Sequence, residues 1–208
     1  YWPKVIGANG FVQVSGEKMS KRLGNIIPLR DLIKKYGADV VRINLISSNE
    51  NMDDANWREE NVPAFTSRFE FLKNLVNNLK KAKRNGKKNV DLFLQSRIQT
   101  HVKEATENFE EMRFRTGIQV GFFNFINDLK WYLERNGKIE NCNKKILEDA
   151  ASVLIKLITP LTPHTCEEIW EELGNKKFVS ISEWPKPQTN LVKEENEMYE
   201  EFLKKIIQ

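Results

Sequence analysis

The apolar positions of the chain change their rhythm near residue 60. From residue 64 onward they recur at steps of three and four, the spacing that places side chains on one face of an α-helix. The apolar positions form three such stripes. The third, which begins at Phe114, predicts either a separate helix or one bent near Gly117. Gly137 is typical of a residue just past a helix end. The three stripes are Phe65-Phe69-Leu72-Val76-Leu79, Leu94-Ile98-Val102-Ala105-Phe109-Met112, and Phe114-Ile118-Phe122-Phe125-Leu129-Tyr132.

The last third of the chain adds shorter patterns. Because each predicted helix carries one apolar stripe, the helices have to pack on one another, and we predict an antiparallel helical bundle. The patterns predict a helix over Ile146–Ile158 ended by Pro160 and Pro163, a helix to Leu173 with Thr165 and Glu168 as its capping box, a short strand over Phe178–Ile181, and an amphipathic helix over Glu194–Ile207.

Before residue 60 the pattern is short and interrupted by glycine. Strand-forming residues broken by glycines predict a hairpin or bulged strand pair within Val5–Val14, and a polar loop follows over Gly16–Asn25. Two short helices follow, one opened by Pro28 and ended near Gly37, the other over Asp39–Ile46. The predicted fold class is therefore mainly α, with a small α/β segment over residues 1–60, the bundle over 61–174, and a strand and terminal helix over 175–208.

Composition excludes several classes of protein. The chain has 208 residues, 40% of them hydrophobic and 30% charged, which indicates a folded domain with a core. No apolar run approaches the roughly 18 residues that cross a membrane, and because the first residues lack a basic region followed by an apolar run, we expect no signal peptide. Two cysteines, Cys142 and Cys166, are too few for a disulfide framework, so we expect inert thiols, no bound metal and a cytoplasmic location. The start at Tyr1, without methionine, favours a segment of a longer polypeptide.

The net charge of +4 is unevenly distributed. Residues 61–138 carry 15 basic and 8 acidic side chains, whereas residues 139–208 carry 9 basic and 13 acidic ones. A local excess of positive charge suggests a polyanionic partner for the middle of the chain, although lysine-rich helices are also commonly just solvated. We expect His164 to be structural, because a metal site needs three or four ligands, and His101 to lie on the surface, exposed or facing a nucleic acid.

The stretch Lys18-Met19-Ser20-Lys21-Arg22, set between Gly16 and Asn25, carries the candidate chemistry. It places two lysines three positions apart in a loop flanked by glycine. A lysine is a compact charge on a flexible stem, which suits it to follow phosphate oxygens as negative charge develops on them. On charge alone the alternative is a solvated turn, because basic loops are common.

This loop resembles the second signature of class I aminoacyl-tRNA synthetases, usually Lys-Met-Ser-Lys-Ser. Its surroundings are similar to leucyl-tRNA synthetases of archaeal and eukaryotic-cytosolic type, and the likeness extends from Trp2 to about Pro185. The leucine assignment depends on the weaker flanking similarities. The similar stretches are Asn9-Gly10-Phe11-Val12, Tyr36-Gly37-Ala38-Asp39-Val40-Val41-Arg42, Asp53-Asp54 with Asn56-Trp57-Arg58, Met112-Arg113-Phe114-Arg115-Thr116, Pro160-Leu161-Thr162-Pro163-His164 and Glu168-Ile169-Trp170.

The resemblance implies roles for the loop residues. Lys21 and Lys18 match the two catalytic lysines of the signature, and the five residues Lys18, Met19, Ser20, Lys21 and Arg22 match its ATP-binding loop. Lys21 would meet the departing pyrophosphate, Met19 would pack inward and Ser20 would fix the loop. Arg22 replaces the usual serine, which leaves that serine's role open. Mg²⁺ is expected with ATP in a monomeric parent enzyme, with leucine as the other small substrate.

The resemblance also implies a tRNA partner, tRNA(Leu) in the parent. By themselves, the basic side chains between the first two bundle helices indicate a solvent-exposed segment in which the helix dipole stabilises positive charge at the helix C-terminus. With the resemblance, these side chains become candidate contacts to tRNA phosphates. The candidates are Lys80, Lys81, Lys83, Arg84, Lys87, Lys88, Arg113 and Arg115, with Lys103 and Lys130 on less ground.

Two other hypotheses remain open at this stage. The chain is an isoleucyl or valyl enzyme segment if the flanking similarities mislead, or a stand-alone tRNA-binding module or subunit of a split synthetase. The first signature, His-Ile-Gly-His, does not occur in the sequence. We therefore expect the segment alone to be inactive in adenylation and to bind no cofactor by itself.

Overall fold

The structure, a computed structural model, describes residues 2–3, 6–8 and 10–207. It confirms the mainly α fold, with a small three-stranded sheet near the N-terminus. The helices are α1 (Leu29–Tyr36), α2 (Ala38–Ser47), α3 (Val62–Asn78), α4 (Asn89–Glu110), α5 (Phe114–Ile118), α6 (Phe125–Asn136), α7 (Lys144–Ile158), α8 (Pro163–Glu172) and α9 (Glu194–Ile207), and the strands are β1 (Val12–Val14), β2 (Glu17–Lys18) and β3 (Ala55–Trp57).

The bundle core contains most of the predicted stripes together with the apolar face of α7, but Phe109 and Met112 are only half-buried and Phe114 is exposed. Leu72, Leu94 and Phe122 are fully enclosed, and α4 lies centrally against α6, α7 and α9, while α3 packs on α7 and α8. Within the described residues no helix is long and apolar enough to cross a membrane.

The boundary between the second and third stripes is set by Met112. This residue has a positive φ of 59°, which ends α4 and separates it from α5. The third stripe is therefore a separate helical unit. Within this unit α5 ends at Ile118, next to Gly117, and a π-helical segment follows over residues 119–124 before α6 begins.

The predicted strand pair within Val5–Val14 is wrong in position. Of the residues in this range that the structure describes, only Val12–Val14 form a strand; it pairs antiparallel with Glu17–Lys18 across a turn at Ser15 and Gly16, both of which have positive φ. The third strand, parallel to β1, was not predicted, because Ala55-Asn56-Trp57 alternates apolar and polar residues over only three positions, which is too short a run to indicate a strand. Val5 and Asn9, part of the predicted pair, lie outside the described residues.

Three smaller predictions also need correction. Pro28 caps α1 rather than opening it. Phe178–Ile181 is not a strand but leads into a 3₁₀ turn over Val179–Ile181 that buries only Val179. Thr165 and Glu168 do not cap α8, which begins at Pro163; the backbone N–H of Thr165 instead donates to Asp39 Oδ2 at 2.7 Å. The cap therefore comes from α2, far away in the sequence.

His101 is buried, which contradicts the surface position expected for it. Its Nε2 lies 2.9 Å from Asp128 Oδ2, and its ring stacks on Phe125. Burial lowers the pKa of His101 even though the carboxylate favours the charged ring. The ring is thus neutral at pH 7 and donates from Nε2 to Asp128.

Asp128 also attaches α9 to the bundle. Its carboxylate accepts from Arg97 Nε at 2.7 Å and from Lys204 Nζ of α9 at 2.9 Å. Burial alone would raise the pKa of Asp128, but the donors from His101 and Arg97 outweigh it and hold the pKa well below its usual range. Glu200 of α9 is 1% exposed and accepts hydrogen bonds from the side chains of Trp131 and Arg135 in α6.

We predict that Asp128→Asn lowers the free energy of unfolding at pH 7 by about 2–4 kcal/mol, because Arg97 and Lys204 then lose the buried anion that they share and keep only Glu197 and Glu201 as charged partners. In the wild-type chain the unfolded state takes up a proton at Asp128 near the ordinary pKa of 3.8 while the folded state does not. This contribution is complete above that pKa and is lost as the pH falls, so the substitution should flatten the acid limb of the stability curve.

Urea unfolding at a series of pH values between about 6 and 2 measures both effects. Glu134→Gln, at an exposed position of α6, the helix that contains Asp128, is the control. It should change neither the stability at pH 7 nor the slope of the acid limb. An acid limb that is as steep in Asp128→Asn as in the wild type would contradict the assignment.

Candidate functional site

The loop with the paired lysines is closed by the side chain of Asn25. Its Oδ1 accepts from the backbone N–H of Ser20 at 2.8 Å, and its Nδ2 donates to the carbonyl of Lys18 at 3.2 Å. Inside this closure Ser20 Oγ accepts from the N–H of Leu23 at 3.1 Å, and Gly24 has a positive φ of 68°. The backbone from Lys18 to Asn25 is therefore held by the loop's own side chains.

The cations of the loop point to solvent. Lys21 and Arg22 are exposed, and among the described residues neither side chain has an ion-pair or hydrogen-bond partner. Lys18 differs, since its Nζ lies 3.6 Å from the centre of the Phe11 ring, a cation–π contact. Met19 is half-buried, as expected. The arrangement offers two free cations at the tip and a third held at the base, a geometry suited to an extended anion.

The hairpin that carries the loop is positioned by the segment of β3. Asp54 accepts from the N–H of Phe11 and from Gln13 Nε2, both at 2.7 Å, and Asn56 Oδ1 accepts from the N–H of Gly16 at 3.0 Å. A Cβ at Gly10 would lie 1.9 Å from Asp54 Oδ1, so this close approach requires glycine. Sequence reasoning missed the supporting role of Asp54 and Asn56, although both lie in a stretch that it singled out.

The N-terminal unit exposes much apolar surface around the loop. The α1 residues Leu29 and Ile33 are 58% and 39% exposed, and Phe11 and Leu23 are 63% and 60% exposed. Its own small core is formed by Val41, Trp57 and Val62. Apolar patches of this kind mark surfaces that contact other protein.

A second candidate surface lies where α3 leads into α4. The side chains of Lys80, Lys81, Lys83, Lys87 and Lys88 are all exposed there. The backbone of this segment pairs with the connection between α6 and α7: the N–H of Arg84 donates to the Cys142 carbonyl, and that of Lys144 to the Arg84 carbonyl, both at 3.3 Å. This pairing brings the exposed residues Lys138, Lys144 and Lys145 to the same end of the bundle. We call these eight lysines the basic end.

Arg84, a predicted phosphate contact, has a structural role instead. Its guanidinium forms two 2.6 Å bonds to the fully buried Asp91, and its Nε donates to the Asn141 carbonyl at 2.5 Å. Burial would raise the pKa of Asp91, but Arg84, Tyr132 and the Lys88 amide together lower it. Arg84 therefore neutralises an internal charge, and we remove it from the candidate tRNA contacts.

The structure does not bring Arg113 and Arg115 to the basic end. They follow the last residue of α4, whereas Lys88 precedes its first, and a 22-residue helix is about 33 Å long. Arg113 Nε donates to Asn108 Oδ1 at 2.8 Å and its guanidinium also pairs with Glu111, while Arg115 is exposed. Any ligand that binds at the basic end would therefore contact these arginines through another part of its structure.

The two thiols are enclosed. Burial raises the pKa of Cys142 to about 11 and that of Cys166 to about 12, which makes both poor nucleophiles at pH 7. Among the residues that the structure describes, no three His, Cys, Asp or Glu side chains are grouped so that they could hold a metal ion.

Comparison with protein families places the chain. Residues 91–208, more than half of it, match the family model described as the anticodon-binding domain of tRNA ligase. The chain belongs to this tRNA ligase family. Residues 1–83 match a second model, tRNA synthetases class I (M), and this segment contains the loop of Lys18–Arg22. Both matches confirm the resemblance to class I synthetases.

Several relatives of this tRNA ligase segment are named leucine–tRNA ligase. That of Pyrococcus horikoshii is 37% identical over 212 residues, with 100% of this chain and 22% of that protein covered; that of Methanococcoides burtonii is 34% identical over 209 residues, with 97% and 21% covered. The chain thus spans about a fifth of the length of these relatives.

A solved structure shares the fold of this tRNA ligase segment. It is the ternary complex of Agrobacterium radiobacter K84 agnB2 LeuRS with tRNA and LeuAMS, with a TM-score of 0.75 and 24% identity, covering 89% of this chain and 24% of that one. At this identity the likeness confirms the fold.

We predict that Arg84→Ala lowers the free energy of unfolding by about 3–5 kcal/mol, because it leaves Asp91 buried without a cation. Lys83→Ala, at the exposed neighbouring position, is the matched control and should stay within about 0.5 kcal/mol of the wild type. Urea unfolding monitored by circular dichroism distinguishes them. Equal stability of the two variants would return Arg84 to the surface contacts.

Proposed function

We propose that the chain is part of a leucine–tRNA ligase, which activates leucine with ATP and transfers it to tRNA(Leu). The observation that carries this is the likeness of the whole chain to enzymes of that name, at 37% and 34% identity. The match of residues 1–83 to class I tRNA synthetases supports it. The exposed apolar surface around the loop fits a unit that packs against the remainder of a catalytic domain.

In the proposed reaction the carboxylate of leucine attacks the α-phosphorus of ATP, giving leucyl-adenylate and pyrophosphate. Negative charge shifts onto the leaving pyrophosphate, and cations held in place before the reaction stabilise that charge most effectively. We assign this role to Lys21 and Lys18, with Arg22 as an additional donor. Met19 and Ser20 then hold the ATP-binding loop, because Ser20 and Asn25 fix its backbone.

Mg²⁺ is expected with ATP in the parent enzyme and would neutralise phosphate charge when bound. The described residues around the loop offer no group of carboxylates that suits it. We therefore assign it no ligand in this chain.

We further propose that the basic end binds the phosphate backbone of tRNA. Eight exposed lysines converge there, and Glu140, paired with Lys83 through the backbone, is an exposed acid among them. Lysine contacts to phosphates give affinity without reading sequence. Arg115, at the other end of α4, is a candidate for a second contact. We expect a monomeric enzyme in the cytoplasm.

The test of the function is amino-acid-dependent ATP–pyrophosphate exchange by the full-length parent, assayed with all twenty amino acids. We expect exchange with leucine. Exchange with isoleucine or valine would keep the class and reject leucine, and no exchange would favour a stand-alone tRNA-binding module.

In the same enzyme, Lys21→Ala should lower the rate of adenylate formation about 100-fold and ATP affinity much less, because its contact strengthens as the charge develops. Pre-steady-state kinetics separate the two quantities. Arg30→Ala, an exposed cation on α1, is the control. A variant with only a raised ATP dissociation constant would reject the catalytic assignment.

For the basic end, Lys87→Ala/Lys88→Ala and Lys144→Ala/Lys145→Ala should each reduce the slope of log affinity for tRNA against log salt by roughly 0.7–0.9 per lost phosphate contact. Filter binding across a salt series measures the slope. Lys193→Ala/Lys205→Ala, two exposed lysines near the ends of the acidic helix α9, should leave it unchanged. An unchanged slope in both test variants would reduce the basic end to a solvated surface.

A further inference from the structure

Helix α2 lies between two carboxylates whose partners belong to the bundle. The first is Asp39, in the first turn of α2, which is 4% exposed. Its Oδ2 accepts from the N–H of Thr165 at 2.7 Å, and its Oδ1 lies 3.0 Å from Nδ1 of His164. Arg42 adds a third donor at 2.6 Å from within α2. Asp39 thus supplies the cap for the first turn of α8, where backbone N–H groups would otherwise lack acceptors.

The second carboxylate is Glu50, just beyond the end of α2. Its two oxygens accept from the N–H of Thr116 at 3.1 Å and from the Thr116 hydroxyl at 2.8 Å. Thr116 lies in α5, on a different part of the bundle from α8. Between the two carboxylates, Ile43 of α2 is fully buried in the bundle core. The helix is therefore held at both ends by directional bonds and in its middle by packing.

The other connections of α2 lead toward the loop of Lys18–Asn25. Just after the helix, Ser48 Oγ accepts from the N–H of Asn56 in β3 at 2.9 Å. The Asn56 side chain accepts in turn from Gly16 in the turn of the hairpin. A continuous series of hydrogen bonds thus runs from α8 and α5, through the two carboxylates and α2, to the strands that hold the loop.

Apolar packing alone would not define this junction. Dispersion contacts are non-directional, so a helix packed on a core through a few side chains retains freedom to slide and rotate. Two hydrogen-bonded carboxylates about ten residues apart fix both the rotation of α2 and its position along its axis.

We propose that Asp39 and Glu50 are positioning residues that set the orientation of the signature loop relative to the bundle, so that a tRNA bound to the bundle presents its 3′ end at the activated amino acid. The inference depends on the proposed function. Under this proposal, neither carboxylate touches ATP or leucine, and both act through α2. Adenylate formation then requires little from this junction, whereas transfer to tRNA requires the junction to be rigid.

The test uses the full-length enzyme with Asp39→Asn and Glu50→Gln, alone and together. The double variant should keep leucine-dependent ATP–pyrophosphate exchange within about two-fold and slow single-turnover transfer to saturating tRNA by about 10- to 100-fold, the scale of a misplacement near 1 Å. The matched control is Asp31→Asn/Glu60→Gln, which removes two exposed carboxylates of the same unit and should change neither step. Equal losses in both steps, or no loss in transfer, would overturn the proposal.

Hydrogen exchange of the same proteins provides a readout independent of activity. A purely local role predicts faster exchange only in the first turns of α5 and α8. The proposal predicts faster exchange also along α2 and in β3, which connect the loop to the bundle, with the hydrogen bonds inside the loop and the centre of α4 unchanged. If the double carboxylate variant does not fold, Thr116→Val with His164→Ala should reproduce the pattern more weakly, because it removes the two side-chain partners on the bundle side and leaves the two backbone donors. Unchanged protection of α2 and β3 in both would overturn the proposal, whereas a wild type without leucine exchange would instead reject the proposed function.

Discussion

A carboxylate removed from water has to be matched by donors, and this constraint organises the molecule. Burying an ion costs several kcal/mol unless partners compensate for the lost hydration. Among the residues that the structure describes, four carboxylates are almost completely buried: Asp39, Asp91, Asp128 and Glu200. Asp39 and Glu200 depend on donors far away in the sequence, Asp91 on Tyr132 as well as on the nearby Arg84, and Asp128 on both Arg97 and Lys204. Each therefore joins two segments that apolar stripes alone would leave free to slide.

The joined segments are the ones on which the proposed function depends. Asp91 and Arg84 hold the connection between α3 and α4 against the connection between α6 and α7, and so gather lysines from both into the basic end. Asp39 joins the loop-bearing unit to the bundle, and Asp128 and Glu200 attach α9. The two surfaces proposed to bind phosphate are each supported by a buried acid that meets no ligand.

The sequence predicted the helices well, because one-sided apolar stripes and helix-ending glycines such as Gly37 and Gly137 are local signals. It failed where a partner is distant. Thr165 was given a local capping box because Asp39, its actual partner, lies 126 positions away. Arg84 looked like its exposed lysine neighbours, since charge alone does not reveal a buried acid beneath it. Lys144 and Lys145 were missed because only backbone pairing brings them to Lys87 and Lys88. In the loop, the lysines could be found from the motif, but the closing role of Asn25 required geometry.

The contact between Lys18 and Phe11 holds the Lys18 ammonium group against the aromatic ring. A cation–π contact at an exposed site is worth about 0.5–1 kcal/mol, which corresponds to roughly a two- to five-fold change in an equilibrium constant. If Lys18 is to contact the triphosphate, its ammonium group first has to leave the ring. Part of the free energy of ATP binding would then be used to break the cation–π contact. In the proposed function Phe11 would thereby lower the affinity for the nucleotide by that factor without touching it, and a smaller side chain at position 11 would remove the effect.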